Sequence, residues 1–251
     1  MSIIMNEREF ALEVIDRKTL GDSPIKTLYI LSKYYFSVGY TKKKVASLLK
    51  EAVLRNDPKA VLQCWEDVIS DVIKKSKGST LIEVDGIFLT KKEMDICASI
   101  EAKRVQRLFF TILCLAKYEN AVRRDTSGWV NTKYKDIFKL ANIDLSKDRQ
   151  CDLIYTLVTG GYITLSKKSS SLSFKVECLD YDGDAYLSVT DFRNLGNQYL
   201  RYIGEPYIEC ANCGLVVRRT GRSQKYCKSC AADVNRMKTS ERNQSNKNPT
   251  K

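Results

Sequence analysis

The chain has 251 residues, and its 42 Lys and Arg against 30 Asp and Glu give a formal net charge of +12. Hydrophobic residues make up 43% of the sequence, which is enough to build a core and excludes a chain that is disordered by composition. Histidine is absent, which excludes histidine-dependent nucleophile pairs, histidine general bases and zinc enzymes with histidine ligands.

No membrane segment or export signal is expected. The longest apolar run, over 108–116, is far shorter than the roughly 18 residues that a membrane span requires. Residues 1–10 carry Glu7, Arg8 and Glu9 where a signal peptide has its apolar core. We therefore expect a cytoplasmic protein that does not bind membranes.

Helices dominate the first hundred residues, and we assign 1–100 to an N-terminal helical region that includes a β-hairpin. Pro24 after Ser23 predicts the start of one helix. Thr41 caps a second helix, and Pro58 begins a third that runs to about residue 75. The apolar faces of these helices are expected to pack together.

Two local patterns follow within this region. Asp85 and Gly86 stand between LIEV and IFLT, which predicts a hairpin with a two-residue turn. Thr90 and Glu93 have the spacing of a capping box, which predicts the start of another helix.

Residues 101–204 are assigned to a winged-helix-like domain with a connecting helix. The predicted elements are a helix over 103–118, a strand at 129–130, helices over 132–140 and 146–159, and strands over 162–165 and 173–178. This order resembles the winged helix, in which the third helix commonly enters the major groove and the wing contacts the backbone.

The winged-helix resemblance implies a set of DNA-contacting residues on the third helix and on the wing. They are Lys147, Arg149 and Gln150, with Lys167 and Lys168 at the tip of the wing. Asp148 and Asp152 dilute the positive charge of this helix. Winged helices also dock proteins, so DNA binding and scaffolding both remain open for this domain.

An acidic segment comes next, with Asp180, Asp182, Asp184 and Asp191. Its spacing fits a calcium loop poorly, because Ala185 occupies the position of the obligatory glycine. A polar turn is the favoured interpretation. A Mg²⁺-dependent nuclease that uses these carboxylates, with Glu177 nearby, is the third-ranked function.

Nine cysteines divide into two kinds. Five are isolated in apolar stretches and are predicted to be small buried hydrophobes: Cys64, Cys97, Cys114, Cys151 and Cys178. The other four, Cys210, Cys213, Cys227 and Cys230, form two CxxC pairs separated by 13 residues. This spacing predicts a tetrahedral zinc site, with disulfides or a redox dithiol as alternatives. A site closed by four thiolates is structural, so zinc would stabilise the fold without taking part in chemistry.

The metal-binding pairs belong to a predicted finger over 205–244, followed by a disordered tail over 245–251. A strand at 215–217, a turn at 220–221, a returning strand at 225–226 and a helix after Cys227 are expected. This arrangement resembles a treble-clef zinc finger. Nuclease versions of that finger need a catalytic histidine, which this chain lacks.

Positive charge is concentrated in the same region. From residue 210 to the end there are ten basic and two acidic residues, a balance of +8, or +6 once zinc and four thiolates are included. The candidate phosphate-binding residues are Arg218, Arg219, Arg222, Lys225 and Arg236. A basic patch on a scaffold fixed by metal favours nucleic acid as the partner.

Several segments together resemble a group of proteins encoded by phages and integrative elements of Gram-positive bacteria. They are LYILSKYYFSVGYTKKKV, FTILCLAKY, GWVN, IFKLANI, DFRNLGNQYLRYIGE, CANCG and YCKSC. The resemblance implies a mobile-element setting and supplies no catalytic residue.

The sequence therefore predicts a mainly α (α+β) fold and a non-enzymatic, zinc-stabilised protein that binds duplex DNA. Its expected role is transcription regulation or replication support for a phage or mobile element. The alternative is an adaptor or inhibitor that binds a host or phage protein. The oligomeric state stays open.

Overall fold

A computed structural model of the protein describes residues 3–123, 126–166 and 173–247. Helices account for 55% of the chain and strands for 11%, so the fold is mixed α/β with helices predominating. The chain divides into two compact units, one comprising Ile4–Asp85 and the other beginning at Gly86. Within the described ranges, no helix combines the length and apolarity needed to cross a membrane.

The first unit consists of four helices: α1 (Glu7–Arg17), α2 (Pro24–Ser37), α3 (Lys42–Asn56) and α4 (Leu62–Ser76). α2 packs against the other three, and its Leu28 and Leu31 are buried in the core that they share. Thr41 caps α3 as predicted, because its hydroxyl accepts the N–H of Lys44.

Two of these boundaries differ from the sequence-based expectation. α1 was not predicted, although Asn6 caps it by accepting the N–H of Glu9. α4 begins four residues later than the predicted start at Pro58, because that proline lies in a turn in which Asp57 accepts the N–H of Lys59.

The predicted hairpin at Asp85 and Gly86 is wrong. The strand after it, β1 (Ile87–Thr90), pairs antiparallel with β5 (Ala185–Val189), about a hundred residues downstream. The segment before it forms a bridge between Glu83 and Asn6. The boundary between the units falls at this same point, so the two flanks of the turn each pair with a distant partner.

The second unit is built around a long central helix. After β1 come α5 (Lys91–Ser99), α6 (Lys103–Arg123), β2 (Trp129–Val130), α7 (Tyr134–Leu140), α8 (Lys147–Thr159), β3 (Ile163–Leu165), β4 (Phe174–Val176), β5, α9 (Leu195–Tyr202), β6 (Tyr207–Glu209), β7 (Val216–Arg218) and α10 (Lys228–Lys247). The capping box at the start of α5 is confirmed, with Thr90 and Glu93 bonded reciprocally. β1 and α5 therefore belong to this unit, although the sequence placed them in the N-terminal region.

Most residues of α6 are buried, and α5, α7, α8 and α9 all pack against it. β2, β4 and β3 form a small antiparallel sheet in that order. The helices and strands from α6 to β4 occur in the predicted order, with α7 beginning two residues later than expected. The segment between β3 and β4, which includes Lys167 and Lys168, lies outside the described residues.

α9 approaches the end of α7 so closely that only glycine fits at the contact. A Cβ atom on Gly196 would lie 1.9 Å from the carbonyl oxygen of Ala141. On the same helix, the ring of Tyr199 packs against that of Phe110 on α6, with 5.2 Å between centroids. α9 is thus held firmly against the body of the unit, and it leads directly into the four-cysteine region.

Candidate metal centre

The four clustered cysteines converge as the sequence predicts. The sulfur atoms of Cys210, Cys213, Cys227 and Cys230 all lie within 4.8 Å of one another. The Sγ atoms of Cys213 and Cys227 are 3.9 Å apart. A tetrahedral ion with metal–sulfur bonds of about 2.3 Å needs sulfur atoms about 3.8 Å apart, so a metal ion fits between these thiols.

The first CxxC pair forms the turn of a β-hairpin. β6 and β7 pair antiparallel, with Tyr207 opposite Arg218 and Glu209 opposite Val216. Gly214 adopts a φ of +72° in this turn and donates its N–H to the carbonyl of Cys210. β7, the strand after the first cysteine pair, therefore pairs with β6, the strand before it.

The second CxxC pair lies at the start of α10. Cys230 is in the first turn of that helix, and its N–H donates to the Sγ of Cys227 at 3.5 Å. The returning strand predicted at 225–226 is wrong, because β7 already pairs with β6. The helix continues to Lys247, three residues into the tail predicted over 245–251, and 248–251 lie outside the described part.

The surroundings of the sulfur atoms favour the thiolate form that metal ligation requires at Cys210 and oppose it at Cys213. Burial acts to raise the pKa of Cys210, but hydrogen bonds from the backbone of Cys227, Asn212 and Cys213 outweigh it and lower that pKa to about 6. Burial raises the pKa of Cys213 to about 12, with hydrogen bonds to the neighbouring thiols adding to the rise. The side-chain amide of Asn212 donates to the Sγ of Cys230 at 3.3 Å.

Polar side chains on and just before α9 hold the finger in place. Arg193 donates to the carbonyl of Cys213 at 2.6 Å, and the amide of Asn197 donates to the carbonyl of Val216 at 3.0 Å. Arg201 forms an ion pair with Glu209 at 2.6 Å. The three donors follow one another at intervals of four residues, which is the spacing of one helix face. The spacing is visible in the sequence, but the contacts of these residues with the finger were not predicted from it.

The five candidate phosphate-binding residues of the finger are exposed, but they are not equivalent. The guanidinium of Arg219 donates to the carbonyls of Gly221 and Arg222, so this side chain braces its own loop. Arg236 lies 3.6 Å from Asp233. Arg218, Arg222 and Lys225 have no carboxylate partner among the described residues.

The predicted DNA-contacting residues on α8 also differ from one another. Lys147 and Arg149 are exposed in the first turn of the helix. The side-chain amide of Gln150 instead donates to the carbonyl of Leu145 at 2.9 Å, so it stabilises the preceding loop.

The acidic segment forms a polar turn, as the favoured interpretation predicts. One carboxylate oxygen of Asp180 accepts the N–H groups of Asp182 and Gly183, and the other accepts the hydroxyl of Thr90. Asp191 is paired with Arg193 at 2.7 Å. Across the ranges that the structure describes, the four cysteines are the one group of three or more candidate ligands that come together.

The isolated cysteines do not all behave alike. Cys97 and Cys114 are buried as predicted, and burial raises the pKa of both thiols. Cys178 is half-buried. The prediction is wrong for Cys64 and Cys151, which are exposed.

The four-cysteine cluster, which could hold a metal ion, is the part of the described chain with the most definite chemistry. No known protein family, no curated protein and no solved structure matches this chain. Inferences about function therefore depend on the geometry and charge of these residues themselves.

Proposed function

We propose that the chain is a DNA-binding protein whose C-terminal finger is stabilised by zinc. Four thiolates in a tetrahedral arrangement suit zinc, and they leave no coordination position open for a substrate. The metal would therefore supply folding energy to a finger that has little apolar core of its own.

The observation that carries the proposal is the set of unpaired basic side chains on this finger. Arg218 extends from β7, while Arg222 and Lys225 lie on the loop that leads to the second cysteine pair. All three are exposed and lack acidic partners in the described part of the chain. Guanidinium and ammonium groups held on a metal-fixed scaffold are suited to the phosphates of a DNA backbone.

The elements from α6 to β4 support the same function. A helix, a strand, two helices and two strands, with sheet order β2-β4-β3, resemble the arrangement of a winged helix. In that fold α8 would enter the major groove, where the exposed Lys147 and Arg149 reach base edges or phosphates. Transcription regulation or replication of a mobile element is proposed on the sequence resemblance alone.

A salt titration tests the proposal. The affinity of the full chain for a fluorescent duplex is measured by anisotropy between about 50 and 200 mM salt. Replacing Arg218, Arg222 and Lys225 together by Ala should make the slope of log K against log salt shallower by about 2.7, since each phosphate contact contributes about 0.9.

The matched control removes three other exposed charges. Lys42, Lys43 and Lys44 lie in the first turn of α3 in the other unit, and their replacement by Ala changes the net charge by the same amount. The control should leave the slope unchanged. Equal slopes for both triple variants would show that the finger makes no phosphate contacts.

Exposed aromatic side chains favour a protein-binding adaptor as the second candidate. Phe88 on β1 is 57% exposed and Tyr186 on β5 is 51% exposed. Tyr186 also packs edge-on against the exposed Tyr202 at 6.5 Å between centroids. Aromatic residues are enriched in protein interfaces. Pull-down with and without nuclease separates the candidates, because partners that persist after DNA is removed support the adaptor.

A further inference from the structure

The finger is connected to the loop before α8 through a single buried side chain. Asn197 is 4% exposed, and its amide nitrogen donates to the carbonyl of Val216 in β7 at 3.0 Å. Its carbonyl oxygen accepts the side-chain amide of Asn142 at 2.9 Å. Asn197 therefore contacts the metal finger on one side and the α7–α8 connection on the other.

Both ends of this connection are fixed. Asn142 adopts a φ of +51°, and its carbonyl accepts the guanidinium of Arg107 on α6 at 3.0 Å. Asn197 itself is positioned by its neighbour Gly196, which lies directly against the backbone of α7. A buried amide that satisfies partners on both sides specifies one arrangement, because any other leaves those groups without hydrogen bonds.

The connection limits the distance between the two proposed DNA-contacting elements. Lys147 is five residues after Asn142, and Arg218 is two residues after Val216. With at most about 3.6 Å per residue and about 14 Å across the two amides, the Cα atoms of Lys147 and Arg218 are no more than about 40 Å apart. One turn of B-DNA, about 34 Å, lies within this limit, so both elements can reach the same stretch of duplex.

We propose that α8 and the finger bind the same DNA duplex, and that Asn197 is the positioning residue that sets their separation. The inference rests on the proposed DNA-binding function. When one element is bound, a fixed spacing presents the other to the same duplex at a high effective concentration, so the two sets of contacts reinforce each other. A finger held less firmly would lose part of this gain while keeping its own metal and phosphate contacts.

The experiment uses the full, metal-loaded chain and a duplex of about 16 base pairs, long enough to cover the estimated span. Stoichiometry is measured by titration at high concentration, and affinity by anisotropy at low concentration. One duplex per chain is expected, and Arg149→Ala and Arg218→Ala should each weaken binding to it.

Two variants break the connection from opposite sides. Asn197→Ala removes both hydrogen bonds, whereas Asn142→Ala leaves the contact between Asn197 and Val216 intact. Each should reduce affinity about tenfold, below the largest gains of bivalent binding, with metal content unchanged. The effect of Arg149→Ala should also be smaller in the Asn197→Ala background than in the original chain, which a purely structural role would not produce.

The possible outcomes separate the inference from the function on which it rests. Two duplexes per chain, or an Arg149→Ala effect that is the same with and without Asn197, would overturn the shared duplex. Absence of duplex binding by the unmodified, metal-loaded chain would instead refute the DNA-binding function. The positioning role would also be overturned if Asn197→Ala lost its metal while Asn142→Ala kept both its metal and its full affinity for the duplex.

Discussion

Gly196→Ala is the sharpest test of how α9 is seated. The new methyl carbon would lie 1.9 Å from the carbonyl oxygen of Ala141 and 2.5 Å from its carbonyl carbon. Both atoms belong to the backbone at the end of α7, so no side chain can rotate away to relieve the contact. α9 or the α7–α8 connection must therefore shift by more than about 1 Å, since packed carbon and oxygen atoms stay more than about 3 Å apart.

Two opposing contributions determine how much Gly196→Ala changes the free energy of unfolding. Alanine is favoured over glycine inside a helix by about 0.5–1 kcal/mol. Overpacking of a rigid contact costs about 1–3 kcal/mol and can cost more where backbone must move. We expect a net destabilisation of about 2 kcal/mol, which lowers the melting temperature of a unit of this size by roughly 4–8 °C.

Tryptophan fluorescence follows the correct unit in this experiment. The chain has two tryptophans, Trp65 in α4 and Trp129 in β2, so a Trp65→Phe background leaves the second unit as the source of the signal. Gly221→Ala is the matched control, because its Cβ would meet no atom within 4 Å. A melting temperature for Gly196→Ala equal to or above that of the control would refute the close approach of α9 to α7.

Three other changes have defined outcomes. Cys227→Ser should abolish metal binding and lower the melting temperature of the second unit, while most of the helix content remains. Metal analysis should find about one ion per unmodified chain. A Cys227→Ser variant with full metal content would contradict the four-cysteine site. Glu93→Ala should lower the free energy of unfolding of the same unit, measured in urea, by about 3–5 kcal/mol, because it leaves the buried Lys117 without the carboxylate 2.9 Å away. Glu177→Ala, which removes the partner of Lys175 in a more exposed pair, should cost less than about 1 kcal/mol. Burial raises the pKa of Tyr199 from its ordinary value of 10.0 to about 12, so the folded state retains a proton that the unfolded chain loses. Stability should therefore fall as the pH rises from 10 to 12, and thermal melts of Tyr199→Phe should show a flatter decline over that window.

Features that depend on neighbouring residues were predictable from the sequence. The Thr90 and Glu93 capping box and the cap at Thr41 each need atoms no more than three residues apart, and both form. The geometry of each CxxC pair is likewise determined locally, since two intervening residues let both sulfur atoms face one ion. Local stereochemistry is enough to determine such features.

Strand pairing was not predictable in the same way. Asp85 and Gly86 satisfy the local rule for a hairpin, yet β1 pairs with β5 after about a hundred residues because that pairing buries Ile87 and Leu89 in the second unit. β7 similarly pairs with β6, upstream of the cysteines, and leaves 225–226 without a partner strand. Long-range burial outweighs a turn preference, and a single sequence does not show which distant segments meet.

In the candidate site, too, the local features were predictable from the sequence and the long-range contacts were not. Cys210 and its three companions were identified from spacing, whereas the different roles of Arg218 and Arg219 depend on how the loop folds back on itself. The contacts of Asn197 depend on two segments that are 55 and 19 residues away. Composition and charge indicate a basic surface, but only tertiary structure distinguishes a free cation from one that already braces a loop.

The attachment of the finger to α9 has a consequence for how metal binding affects the stability of the protein. A ligand that binds only the folded state stabilises it in proportion to the logarithm of its free concentration, by about 4 kcal/mol at a thousandfold excess over the dissociation constant. Because Arg193, Asn197 and Arg201 all join the finger to α9, that linkage extends from the cysteines to the unit that begins at Gly86. The supply of the metal would then govern how long this unit survives proteolysis, whereas the helical unit Ile4–Asp85 contributes no cysteine to the cluster.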